Sequence, residues 1–302
     1  MVFADRLIEK IRAKDSRAIV GLDPRIDQMP AFLRGNGPYA AVTAFHELVI
    51  DAVADLVPAV KPQLAFFEQY GVAGMQAFEN TVLAAKKRGL LVIADGKRND
   101  ISSTAEAYAN AYLGADAFDC DAITVTPYLG RDSLVPFVEA CKKHNKGLFV
   151  VLKTSNPGSK DFEDQPLQST GRPLYEKIAG VIEELGASSI GESGYSSIGA
   201  VIGATFPEEG RRLRELMPKS LILVPGYGAQ GGSAKSAAEC FHDDGLGAIV
   251  NSSRGITYAF GDPAISRDAF VQSVRENTQR MIEEINSAVS LANPQRLLQS
   301  PA

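Results

Sequence analysis

The chain has 302 residues, 45% of them hydrophobic and 22% charged, a globular balance that argues against extensive disorder. A net charge of −5 offers no basic footprint for nucleic acid, and no run approaches the roughly 18 apolar residues of a membrane span. Cys120, Cys141 and Cys240 lack CxxC spacing, and His46, His144 and His242 lack ligand spacing, so neither a disulfide framework nor a metal centre is indicated.

The N-terminal stretch "MVFADRLIEKIRAKDS" sets Phe3, Leu7, Ile8 and Ile11 at helical period among charged residues. That is an amphipathic helix and not a signal peptide, so a cytoplasmic protein is expected. Short apolar, β-branched runs follow at 18–24, 59–67, 90–97, 122–128, 147–155, 200–205, 221–228 and 247–254. Segments with helical spacing separate them, among them "YAAVTAFHELVIDAVADL" and "QAFENTVLAAKKRG". Strands apolar on both faces, alternating with helices, imply a parallel sheet covered on both sides. Eight such units predict a single-domain α/β fold over 1–290, a (β/α)8 TIM barrel. A doubly wound open sheet is the alternative, because periodicity does not show closure. The long connection at 156–199 reads as a polar surface excursion plus a helix over 172–186. A long final helix, "DAFVQSVRENTQRMIEEINSAV", precedes a polar tail at 291–302.

The polar residues choose the strand ends. Asp23, Lys61, Asp95 with Lys97, Thr154 with Ser155, Gly226 to Gly232, and Ser253 with Arg254 all stand there. In such barrels that rim carries the chemistry. "PGYGAQGG" after the seventh run and "NSSRG" after the eighth suit a phosphate, through close glycine backbone and the planar fork of Arg254. Gly226, Gly228 and Gly231 also spell G-x-G-x-x-G, but the next strand ends in "VNSS" without an acid, which rejects a dinucleotide site.

The stretch "VIADGKRNDI" places Asp95, Lys97 and Asp100 at the end of the third run. Three explanations compete. Asp100 could cap a helix starting near Ile101, aided by a capping box in "STAE"; the two aspartates could hold a divalent metal; or the lysines could stand in an array of alternating charge with Lys61 and Asp23. Carboxylates beside Lys97 favour an ammonium, a positioned proton donor suited to a reaction that loses an anionic group and leaves a carbanion.

These motifs resemble the orotidine 5′-monophosphate decarboxylase family in its longer bacterial form, over nearly the whole chain. Asp95, Lys97 and Asp100 match its D-x-K-x-x-D, followed by Ile101 and Thr104 as I-x-x-T. Asp23 in "GLDPR", Lys61 in "VKPQ", Ser155 in "KTSNPG", Gln230 in "PGYGAQGG" and Arg254 match further family positions. The resemblance implies cofactor-free, metal-free conversion of orotidine 5′-monophosphate to uridine 5′-monophosphate and CO2. Lys97 would be the proton donor, Asp95 would sit by the carboxylate, and Lys61 and Asp23 would bind ribose hydroxyls. Ser155 would contact the base, while Gln230, Gly231, Ser253 and Arg254 would surround the phosphate. It further implies a homodimer in which Asp100, Ile101 and Thr104 complete the partner's site. A related magnesium-dependent sugar-phosphate barrel and a non-catalytic nucleotide-binding barrel are the rivals.

Overall fold

Each of the eight apolar runs carries a strand, in a computed structural model that describes residues 1–228 and 231–292. They are β1 (Ala18–Leu22), β2 (Ala59–Pro62), β3 (Leu91–Arg98), β4 (Ala122–Val125), β5 (Gly147–Lys153), β6 (Ser196–Ile202), β7 (Ser220–Val224) and β8 (Ala248–Ser252). Neighbours pair in parallel, and β8 returns to β1 with Ile19 opposite Asn251, which closes the barrel and excludes the open sheet.

Period-2 alternation sorts the strand residues into two cores. Ala18, Val20 and Leu22 face the surrounding helices, as do Val92, Ala94, Ile222 and Val224. Ile19, Leu91, Ile93, Phe149, Leu221, Leu223 and Ile249 fill the interior. The expected helices occupy Gly37–Val53, Gly71–Lys87, Leu174–Gly186 and Arg267–Ala292. No helix among the described residues is long and apolar enough to cross a membrane.

Three boundaries differ from expectation. The sixth strand begins at Ser196, not near 200, because its first residues are polar yet buried: Ser196 Oγ donates to Gly186 O, and Ser197 Oγ accepts from Ala4 N. The second strand ends at Pro62, since the chain turns at Gln63 into the short helix Leu64–Glu68. The connection after β5 carries the helix expected over 172–186, at Leu174–Gly186, and its polar excursion is the segment 154–173, beginning two residues before 156 because β5 ends at Lys153. The polar tail from 293 onward lies outside the described residues.

The N-terminal helix α1 (Phe3–Lys14) stops the floor of the barrel. Its Phe3, Ala4, Leu7, Ile8 and Ile11 are all buried and belong to the interior cluster. Its first residue finds no side-chain cap, so tertiary packing holds it in place. Phe3 meets Phe149 edge-on, with ring centroids 6.0 Å apart. Asp5 accepts from Ser193 N and Glu192 N, and Arg6 pairs with Asp121 at 2.6 Å. Phe3→Ala is expected to cost about 3–5 kcal/mol of unfolding free energy, read as a lower urea midpoint. With the floor closed by apolar side chains, the C-terminal rim remains for chemistry.

Candidate active site

The inward faces that fill the barrel turn polar two residues nearer the rim. Ala59 is followed on its face by Lys61, Ile93 by Asp95, Ala122 by Thr124 and Ile249 by Asn251. These four side chains, with Asp23, Gln63 and Lys97, form one wall of a cavity of about 290 Å³. Val151, Val201, Leu223 and Pro225, from β5 to β7 and the turn after β7, form the other. The cavity is therefore charged on one side and apolar on the other.

Asp95 is the hub. It is only 6% exposed, and its Oδ2 accepts from Lys61 Nζ at 2.5 Å and Gln63 Nε2 at 3.0 Å. Its Oδ1 accepts from Lys97 Nζ at 2.7 Å and Thr124 Oγ1 at 2.9 Å. Burial acts to raise its pKa, but the two ammonium groups overcome this and hold it well below the usual carboxylate range. Lys61 is buried too; burial acts to lower its pKa, and the charges of Asp95 and Asp23 reverse that, leaving it above its ordinary value. The signs fix the pH window of the pair. Asp95's contribution to stability is present above its unfolded value of 3.8 and lost as pH falls through its lower folded value. Lys61's is complete below 10.5 and lost as pH rises through its higher folded value. Between those limits both stay charged.

Local backbone irregularity aims Lys97. In β3, Ala94 pairs with Ile123 and Arg98 with Val125, so the segment between carries extra residues and bulges. Lys97 adopts φ +46°, a strained conformation for a side chain of this size, and its backbone N–H is tied to Thr124 Oγ1 at 3.0 Å. Gly96 lets Leu64 pack closely against the bulge, since a Cβ there would lie 2.4 Å from Leu64 Cδ1. Arg98 donates to Gly96 O and pairs with Glu68, clamping the far side.

Of the expected residues, Asp23, Lys61, Asp95, Lys97, Ser155, Ser253 and Arg254 converge on this cavity. Gly226 and Tyr227 border it beside Ser253 and Arg254, which places the glycine turn and the arginine at one end. Gly231 does not line the cavity. Its N–H bonds Gly228 O, and Gly228 N–H in turn bonds Gly232 O, so it shapes the turn from behind. Gln230 lies outside the described residues. Asp100, Ile101 and Thr104 stay outside this chain's own cavity, on a neighbouring surface where Ile101 is 53% exposed.

The helix after β3 begins at Ser102 with Ile101 at its N-cap, and no side chain caps it. The cap and capping box, one of the three explanations, are therefore absent; Asp100 Oδ1 accepts instead from Ile101 N at 2.8 Å. Asp95 and Asp100 do not converge, and among the described residues no group of three His, Cys, Asp or Glu is placed to hold a metal. The polar residues missed from sequence are Gln63, Thr124, Asn156 and Asn251. Asp23 Oδ1 and Asn251 Oδ1 are buried without a hydrogen-bond partner among the described residues. Buried acceptors are rarely left so, and these two face the cavity.

A closed barrel with a buried charge array at its C-terminal rim, and a glycine turn with an arginine at the end of that cavity, defines a phosphate-handling class of barrel enzymes. Within that class the chain belongs to the Orotidine 5'-phosphate decarboxylase / HUMPS family, whose model matches residues 16–268. It is 47% identical over 301 residues to the orotidine 5'-phosphate decarboxylase of Rhodopirellula baltica, covering 94% of this chain and 99% of that one. It is 39% identical to the Deinococcus radiodurans enzyme of the same name, covering 96% and 98%. Among solved structures, the OMP decarboxylase of Leishmania donovani superposes with a TM-score of 0.76 at 32% identity, covering 96% and 99%. The family name joins two groups, and these full-length relatives fall with the decarboxylases.

Proposed function

We propose that this chain converts orotidine 5′-monophosphate to uridine 5′-monophosphate and CO2 within the Lys61–Asp95–Lys97 array. The observation that carries the reading is that Asp95 is held ionised by two lysines on the wall of a nucleotide-sized cavity. The relatives' shared name supplies the substrate. The substrate carboxylate would lie against Asp95, and the pyrimidine ring against the apolar wall of Val151, Val201 and Leu223. As the bond from C6 to the carboxylate breaks, CO2 departs and the electron pair stays on C6. The Lys97 ammonium stabilises that carbanion and gives it a proton, and the amine left behind recovers a proton from solvent.

Fixed charge aimed at developing charge is usually the largest catalytic contribution, and here it stands in place before substrate arrives. Asp23 Oδ1 and Asn251 Oδ1 would accept from ribose hydroxyls, while Arg254, Ser253 and the glycine turn would receive the phosphate. The protein would act as a homodimer in which Asp100, Ile101 and Thr104 enter the partner's site. Their place off this chain's own cavity, with Ile101 largely exposed, supports that assignment.

Mixing the purified protein with orotidine 5′-monophosphate in excess chelator tests the reading. The ultraviolet absorbance change of decarboxylation should proceed at full rate. Activity abolished by chelator and restored by magnesium would overturn it in favour of a metal-assisted sugar-phosphate reaction.

A further inference from the structure

Lys153, the last residue of β5, is fully buried, and its side chain does not line the cavity. Strand parity would aim it inward behind Phe149 and Val151. A bulge prevents this: Val151 pairs with Val201 but Lys153 with Ile202, one residue short of parity. The side chain passes beneath the excursion at 154–173. There its ammonium meets Asp164 Oδ1 at 2.5 Å and Glu163 Oε2 at 3.5 Å, with the Phe206 and Tyr175 rings at 4.7 and 5.6 Å. A buried ammonium is costly unless paired, and both carboxylates come from the excursion. The same Glu163 carboxylate accepts from Thr154 N at 3.0 Å and Thr154 Oγ1 at 2.7 Å.

The excursion therefore leaves the rim at Thr154 and is drawn back to it ten residues later by one buried cation. Between these two points the chain presents Ser155 and Asn156 to the cavity. Ser155 also rests on Gly203, where a Cβ would approach Ser155 N and Cβ to 3.0 Å, so its height over the cavity is set from below as well. Solvent-exposed decoration would not need a fully buried lysine at its root.

We propose that Lys153, through Glu163 and Asp164, is a positioning residue that holds Ser155 and Asn156 in place to receive the substrate. The inference rests on the decarboxylase reading for its substrate, but the clamp itself can be tested without it. Asp164→Asn removes the close carboxylate and keeps the shape. It should expose 154–173 to limited proteolysis at least about tenfold faster, with the far-ultraviolet circular dichroism of the barrel unchanged. In the decarboxylase assay it should raise KM about tenfold while kcat falls much less, as expected for lost positioning of a binding group. Ser155→Ala should also raise KM, and the double variant should be no worse than the poorer single one, since both act through one contact. Lys153→Arg should retain more affinity than Lys153→Met.

Unchanged proteolysis and unchanged KM in Asp164→Asn would overturn the proposal, as would fully additive effects with Ser155→Ala. Should the wild-type protein fail to decarboxylate the nucleotide, the function reading falls, and the proteolysis comparison still decides the clamp. If Lys153→Met does not fold, Asp164→Asn and Lys153→Arg carry the test alone.

Discussion

Replacing Lys97 with alanine is expected to lower kcat/KM for orotidine 5′-monophosphate by about 10⁴-fold or more, while binding of the product nucleotide changes less than about tenfold. The asymmetry follows from the geometry. Lys97 Nζ makes its hydrogen bond to Asp95 Oδ1, and that carboxylate keeps Lys61, Gln63 and Thr124 when Lys97 is lost. Asp95 should stay in place and ionised, so the ends of the cavity proposed to hold ribose and phosphate should be undisturbed. What disappears, on the proposed mechanism, is the ammonium set against the reacting carbon, and with it both the countercharge for the carbanion and its proton. Lys97→Arg should not restore the rate, because a guanidinium is bulkier and does not give up a proton. Initial rates and product-binding titrations on the same preparations check this. Equal losses in turnover and product affinity would make Lys97 a binding or structural residue instead.

The barrel was legible because its signal is repetitive: eight buried runs separated by helices leave few other topologies. Lys61, Asp95 and Lys97 were legible because charges at the ends of apolar strands are costly and so conspicuous. Thr124 and Asn251 were not, although the means existed. Each lies two residues beyond an inward apolar residue, Ala122 and Ile249, and strand parity applied from the floor upward would have placed both in the cavity wall. Lys153 shows the limit of that rule. Parity puts it inside with Phe149 and Val151, and only a bulge in its pairing with the neighbouring strand β6 turns it out. The start of β6 escaped for a related reason. Ser196 and Ser197 are polar in composition but buried by partners 10 and 193 residues away. Such tertiary satisfaction leaves no local mark.

Mixing inactive Lys97→Ala and Asp100→Ala proteins is expected to recover about a quarter of wild-type specific activity. The two residues between these positions, Arg98 and Asn99, carry the chain out of its own cavity. Lys97 Nζ bonds Asp95 within it, whereas Asp100 accepts from Ile101 N at the start of a surface helix. If Asp100 serves the neighbouring subunit, each site draws Lys97 from one chain and Asp100 from the other. In a mixed dimer one site then carries both substitutions and the other neither. Random exchange makes about half the dimers mixed, and half the sites in those are intact, which gives the quarter. Each variant assayed alone sets the background, and exchange is verified by recovering one tagged variant together with the other. Should exchange be demonstrated and activity stay at background, Asp100 acts within its own chain. A Thr104→Ala protein mixed with Lys97→Ala should show the same direction of rescue, because Thr104 is exposed in the first turn of the helix that follows Asp100 and, like it, lies off this chain's own cavity.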